Sequence, residues 1–242
     1  MEARKLIIAL AIKHNGEWLS IYRDIQDKVM PTEEELAKAE GIECITILDD
    51  DYPTALKQGF KPPFVLFCKG NKQLLNDTDI LAVVGSRNPT GRTITFTEKF
   101  VSSRNETIIT GMNIGINSKV AHTALENGNN TILVLAEGID NKATFPELYD
   151  KVAEKGLIIS EYPFNTPAQK ENFAFRYRLI SGLCKAVCIM DIKQHSGTNV
   201  LVMNAINSGK EIYVKPDIES KDSYENQLID EGANCLTLAT TI

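Results

Sequence analysis

The sequence predicts an α/β fold: an open, mostly parallel sheet with helices on both faces. Two observations carry that prediction. Short β-rich runs alternate with helix-period segments from about residue 43 to the end of the chain. The middle runs, ILAVV at 80–84, TILVL at 131–135 and AVCIM at 186–190, are continuously apolar rather than alternating. Burial of a parallel strand on both sheet faces requires that pattern.

Taken in order, residues 6–13, 17–27 and 32–40 read as short helices. Pro31-Thr32-Glu33-Glu34-Glu35 supplies a helix start, with proline at the entry and acids in the first turn. Residues 1–42 are therefore expected to form a short helical extension, and 43–242 the sheet-bearing domain. Strands are expected at 44–48, 64–68, 80–84, 107–109, 131–135, 157–159, 186–190, 211–214 and 235–238. Helices are expected at 93–103, 118–126, 146–154, 173–184, 200–208 and 225–231. Strand-helix alternation of this kind implies a Rossmann-like architecture.

Composition bounds the function. A chain of 242 residues with 43% apolar and 24% charged residues is that of a globular protein with a sizeable core. No apolar run is long enough to span a bilayer, and the early run at 6–12 lacks a signal-peptide cleavage pattern, so a cytoplasmic, non-membrane protein is expected. Five scattered cysteines without a CxxC pair and only three histidines argue for reduced thiols and against a metal site. The net charge of −6 argues against nonspecific coating of nucleic acid. That charge is segregated, however. Residues 165–215 hold seven cations and three carboxylates, a net of +4, which leaves −10 on the rest of the chain.

In an open α/β sheet, ligands sit outside the carboxyl ends of the strands, where helix N-termini favour anions. Three turns there are rich in small residues: Gly85-Ser86-Arg87 with Gly91, the Gly111 and Gly115 loop, and His195-Ser196-Gly197-Thr198. Three such turns on one edge, one with an arginine, point to a phosphate-bearing ligand. None is a P-loop, and no GxGxxG fingerprint is present. Nucleophilic catalysis has no GxSxG elbow to work with. His122 and His195 suit structural or solvated roles, and Glu161 is as much a hydrogen-bonding strut as a general base. No catalytic residue and no cofactor is expected.

Between the second and third turns lies NFAFRYRLISGL, residues 172–183, with three aromatics and two arginines in six residues. Unpaired bases and phosphates are bound by stacking rings interleaved with cations. On that reading Arg176 and Arg178 neutralise phosphates at the sheet edge and Phe173 is a base platform. Phe175, Leu179, Ile180 and Leu183 form the buried stripe, and Tyr177 suits either side.

These motifs, in this order, resemble the DNA-processing protein A family (DprA, also called Smf). The likeness runs from Asp51-Tyr52-Pro53 through Pro62-Pro63-Phe64, Lys69-Gly70-Asn71, Gly85-Ser86-Arg87, Gly111/Gly115, Ala121-His122, Ser160-Glu161-Tyr162-Pro163, Asn172-Phe173, Arg176, Arg178 and Ser196-Gly197-Thr198 to Gly232-Ala233. The resemblance implies an extended Rossmann domain that binds single-stranded DNA, acts as a homodimer and hands the strand to the recombinase RecA in natural transformation. The family's DNA contacts fall on Arg87 of the GSR turn, on the Lys170 and Phe173 pair, and on Arg176 and Arg178. The chain departs from the family pattern at Asn113, Asn117, Ala174, Tyr177 and Asp217, has short N-terminal helices, and is expected to be a divergent member lacking the C-terminal winged helix.

Two rivals use the same fold. One is an enzyme acting on a nucleotide monophosphate, although HSGTNV lacks the paired glycines of the PGGxGT turn such enzymes carry. The other is a sensor of a small nucleotide signal.

Overall fold

A computed structural model of the chain describes residues 3–142 and 145–242. The strands are β1 (Cys44–Thr46), β2 (Val65–Gly70), β3 (Ile80–Val84), β4 (Thr107–Gly111), β5 (Thr131–Val134), β6 (Leu157–Ser160), β7 (Ala186–Ile189), β8 (Glu211–Val214) and β9 (Asn234–Cys235). The helices are α1 (Ala3–Lys13), α2 (Trp18–Gln26), α3 (Glu33–Ala37), α4 (Thr54–Lys57), α5 (Gly91–Ser102), α6 (Ile116–Asn127), α7 (Pro146–Lys155), α8 (Lys170–Leu183), α9 (Thr198–Asn207) and α10 (Tyr224–Asp230).

Among the described residues the strands form one sheet in the order β1-β2-β6-β5-β4-β3-β7-β8-β9. From β6 across to β9 every pairing is parallel, while β1 and β2 join antiparallel at one edge. The chain runs outward from β3 through β4, β5 and β6, then returns to lay β7 on the other side of β3. That reversal opens a crevice at the carboxyl ends of β3 and β7.

Both sheet faces are covered. Ile80, Ala82 and Val84 of β3 pack with Leu179, Ile180 and Leu183 of α8 and with Leu201 and Ala205 of α9. On the opposite face Leu81 and Val83 meet Phe100 and Val101 of α5 and Ile116, Val120 and Ala124 of α6. Successive residues thus face opposite layers yet are all buried, which is why these strands read as solid apolar runs. Residues Ile7–Ala11 of α1 are buried with Val65, Phe67 and Tyr149, so the N-terminal segment contributes to a core.

Local signals act as the sequence suggests. Thr32 and Glu35 form a reciprocal capping box at α3. Pro146 opens α7, and Gly128 closes α6 with φ +82°. Sequence periodicity misses α4, a single turn behind Pro53, and the 3-10 turn Lys72–Asn76, both too short to register. Periodicity also starts α8 at Phe173, whereas the helix begins at Lys170. The earlier start puts Lys170, Phe173, Ala174 and Tyr177 on one helical face.

Candidate nucleic-acid interface

The three small-residue turns meet because they leave adjacent strands, β4, β3 and β7. They are bound to one another by polar groups of their own. The Ser86 N–H donates to Asp191 Oδ1 at 2.6 Å and the Ser86 hydroxyl to Asp191 Oδ2 at 2.7 Å. The Gly85 N–H donates to Asn117 Oδ1 at 3.2 Å, and Asn117 Nδ2 donates to Asn113 Oδ1 at 2.9 Å. The Ile116 N–H donates to the Ser86 carbonyl at 3.0 Å. Asn113 and Asn117 thus form the brace between the first and second turns.

This alters the reason for the glycines. A Cβ at Gly85 would lie 2.7 Å from both Asp191 Oδ1 and Ile116 Cγ1, and one at Gly115, whose φ is +88°, would collide with the Ser86 carbonyl. A Cβ at Gly111 would sit 2.8 Å from the Arg176 guanidinium carbon. These glycines let protein segments approach one another closely. In the GSR turn, the Ser86 donors are already occupied by an internal carboxylate.

Helix α8 distributes its aromatic and basic residues around its circumference. Asn172 and Arg176, one turn apart, face the sheet. Asn172 Nδ2 donates to the Ala136 carbonyl at 2.9 Å. Arg176 is only 1% exposed, with its guanidinium over the Phe173 ring at 5.0 Å and over Tyr177 at 5.2 Å. Its Nε and Nη1 have no hydrogen-bond partner among the described residues. Burial pushes the guanidinium pKa down, partly offset by Tyr177 and the buried Glu137. Burial likewise pushes the Glu137 carboxyl up, against the pull of Arg176.

Arg178 turns the other way and donates from Nη2 to Glu161 Oε1 at 2.6 Å, a pair with side chains 9% and 6% exposed. Burial raises the Glu161 carboxyl pKa, and Arg178 opposes that rise. Glu161 is therefore a strut tying α8 to the end of β6. The two arginines expected at the mouth are internal, because the helical repeat aims one at the sheet and the other at Glu161. The buried stripe also differs from expectation. Tyr177 joins Leu179, Ile180 and Leu183 in it, while Phe175 is half-buried beneath Arg178 and Lys61.

A cavity of about 700 Å³ lies over the crevice, lined from the GSR turn, the start of α8 and the start of α9. Of the expected site residues it takes in Gly85, Ser86, Arg87, Lys170, Phe173, Ser196, Gly197 and Thr198. Gly111, Gly115, Asn172, Arg176 and Arg178 are not among the residues that line it. Arg87, Lys170 and Lys193 are exposed at the cavity and form no ion pair among the described residues. Arg87 lies 5.5 Å from the Phe173 ring centre, so that ring is flanked by two guanidinium groups. No lining residue carries a carboxylate. The sequence alone does not single out Lys193, one positive among seven in residues 165–215. A neighbouring cavity of about 730 Å³, between α5 and α10, contains five carboxylates and suits no polyanion.

Residues 43–242 match the family model of DNA recombination-mediator protein A. The chain belongs to that family. It is 31% identical over 215 residues to the DNA processing protein DprA of Bacillus subtilis, covering 85% of this chain and 71% of that protein. With DprA of Streptococcus pneumoniae it shares 33% over 200 residues, covering 79% and 70%. The X-ray structure of the Streptococcus pneumoniae protein matches with a TM-score of 0.76 at 28% identity, over 96% of this chain and 90% of that one. DNA processing protein A from Helicobacter pylori, solved for its single-stranded DNA binding mode, has the same fold with a TM-score of 0.72 at 24% identity, over 82% and 93%. This family member's relatives favour DNA processing over the nucleotide-cleaving alternative.

Proposed function

We propose that this chain binds single-stranded DNA in the cavity over β4, β3 and β7 and serves DNA recombination without a reaction of its own. The observation that carries this is the cavity itself. In a protein of net charge −6, three cations without an ion pair among the described residues line one cavity together with the Phe173 ring, with no lining carboxylate. Cations match phosphates, and Phe173 matches any base face, so little sequence preference follows. The named subject of the Helicobacter pylori structure is the same ligand class.

Titration against single-stranded, duplex and mononucleotide ligands at two salt concentrations tests this. With about three phosphates neutralised, the log–log salt slope for a single strand should be about −2. Equal affinity for duplex, or salt-insensitive binding, would remove the reading. By resemblance, the protein is cytoplasmic, acts as a homodimer that sets two cavities along one strand, and delivers that strand to RecA. Monomers alone in sedimentation at tens of micromolar, with DNA bound and RecA unassisted, would strip away that part. Residues 1–42 act as an extension that buttresses the 43–242 domain.

A further inference from the structure

We infer that the bound strand continues out of the cavity into a second groove between the loop after α4 and the carboxyl halves of α8 and α9. The inference rests on the single-strand reading and extends it to a separate set of residues. This groove encloses about 590 Å³ and, like the first, is lined by no carboxylate. Lys210 is its cation without an ion pair among the described residues, Arg178 in its wall being neutralised by Glu161; its amides include Gln58, Asn204 and Asn207, and Phe60 stands on its rim.

The two hollows share the same faces of the same helices. On α8, Ala174 and Tyr177 line the first, and Arg178 and Ser181, four residues further along each row, line the second. On α9, Val200 lines the first, and Asn204 and Ser208 repeat that position at intervals of four. From Ala174 to Gly182 the helical rise is about 12 Å, so an extended strand spans both within a few nucleotides.

The rim chemistry is that of a stacking platform. Phe60 is 78% exposed, and Lys61 beside it holds a left-handed φ of +48°. Lys61 Nζ lies over Trp18 at 5.3 Å, Phe60 at 5.4 Å and Phe175 at 5.7 Å, with no carboxylate partner among the described residues. A cation held by ring faces alone remains available to a phosphate, and an exposed ring beside it remains available to a base.

The test is a length series of oligothymidylate with the full chain, comparing wild type, Arg87→Ala and the double variant Phe60→Ala/Lys210→Gln. Both altered groove side chains lie outside the first cavity, and circular dichroism melts confirm that each variant is folded. Wild-type affinity should rise with length and then level off. The double variant should bind the shortest competent oligomer as wild type does. On the longest it should bind about 5- to 20-fold more weakly, having one base stack and one neutralised phosphate fewer. Arg87→Ala should weaken every length. Equal affinity of wild type and double variant across the series would overturn the inference, as would equal weakening at every length. A double variant whose oligomeric state changes without DNA would overturn it too, assigning the groove to a second copy of the chain. Failure of wild type to bind any length would sink the single-strand reading itself.

Discussion

At the scale of the residue, the difference between a cation at the mouth and a cation in the wall decides what each substitution does. Arg87→Ala should weaken single-strand binding and make the salt slope shallower by about 0.7, since one phosphate fewer is neutralised. Phe173→Ala should weaken binding by about 1–3 kcal/mol with the slope unchanged, since stacking releases no counterions. Arg176→Gln should leave the slope alone and lower the melting temperature, because it removes the positive charge that faces the buried Glu137. Titrations at several salt concentrations, paired with thermal melts, read all three. A shallower slope for Arg176→Gln would show that the guanidinium reaches the strand after all. The sequence shows Arg176 and Arg178 clustered with aromatic rings in one helical segment. Which of them is buried depends on the helix phase against Gly111 and Glu161, far from them along the chain, and no local signal reports that.

At the scale of the element, the Arg178–Glu161 pair clamps α8 to the carboxyl end of β6. Removing one partner of a buried pair strands the other charge. Arg178→Met should cost about 3–5 kcal/mol in urea unfolding, and Arg178→Met/Glu161→Leu should recover most of it. A double variant no more stable than the single would mean that the clamp is not what holds the helix there. Strand positions were legible because ILAVV, TILVL and AVCIM are buried on both faces, which leaves one compositional solution. The start of α8 was not, since Gln169 offers no capping side chain and the helix begins without a cap signal. Lys170 consequently reads as loop, though it shares a face with Phe173.

At the scale of the whole molecule, the functional edge exists because the chain reverses direction around β3, and that order was implied by βαβ alternation without being spelled out in any residue. The antiparallel β1–β2 edge was not readable either, being set by the α4 connection rather than by strand composition. The N-terminal extension belongs to the same accounting. Ile7–Ala11 of α1 cover Val65 and Phe67, so a 43–242 fragment should expose that surface, melt well below the full chain and bind hydrophobic dye. A fragment as stable as the full chain would make 1–42 dispensable.

One arrangement gives the molecule an optical consequence. Trp18 is the chain's single tryptophan, stacked on Tyr22 at 5.1 Å and Phe64 at 5.3 Å, with its indole N–H donated to the Pro62 carbonyl at 2.9 Å. Lys61 rests over its face. Light absorbed selectively by indole therefore reports from one place, beside the rim of the second groove. When Lys61 leaves the ring for a phosphate, the charge that polarises the excited indole leaves with it, and the emission maximum moves. The protein carries its own unlabelled probe of where the strand goes.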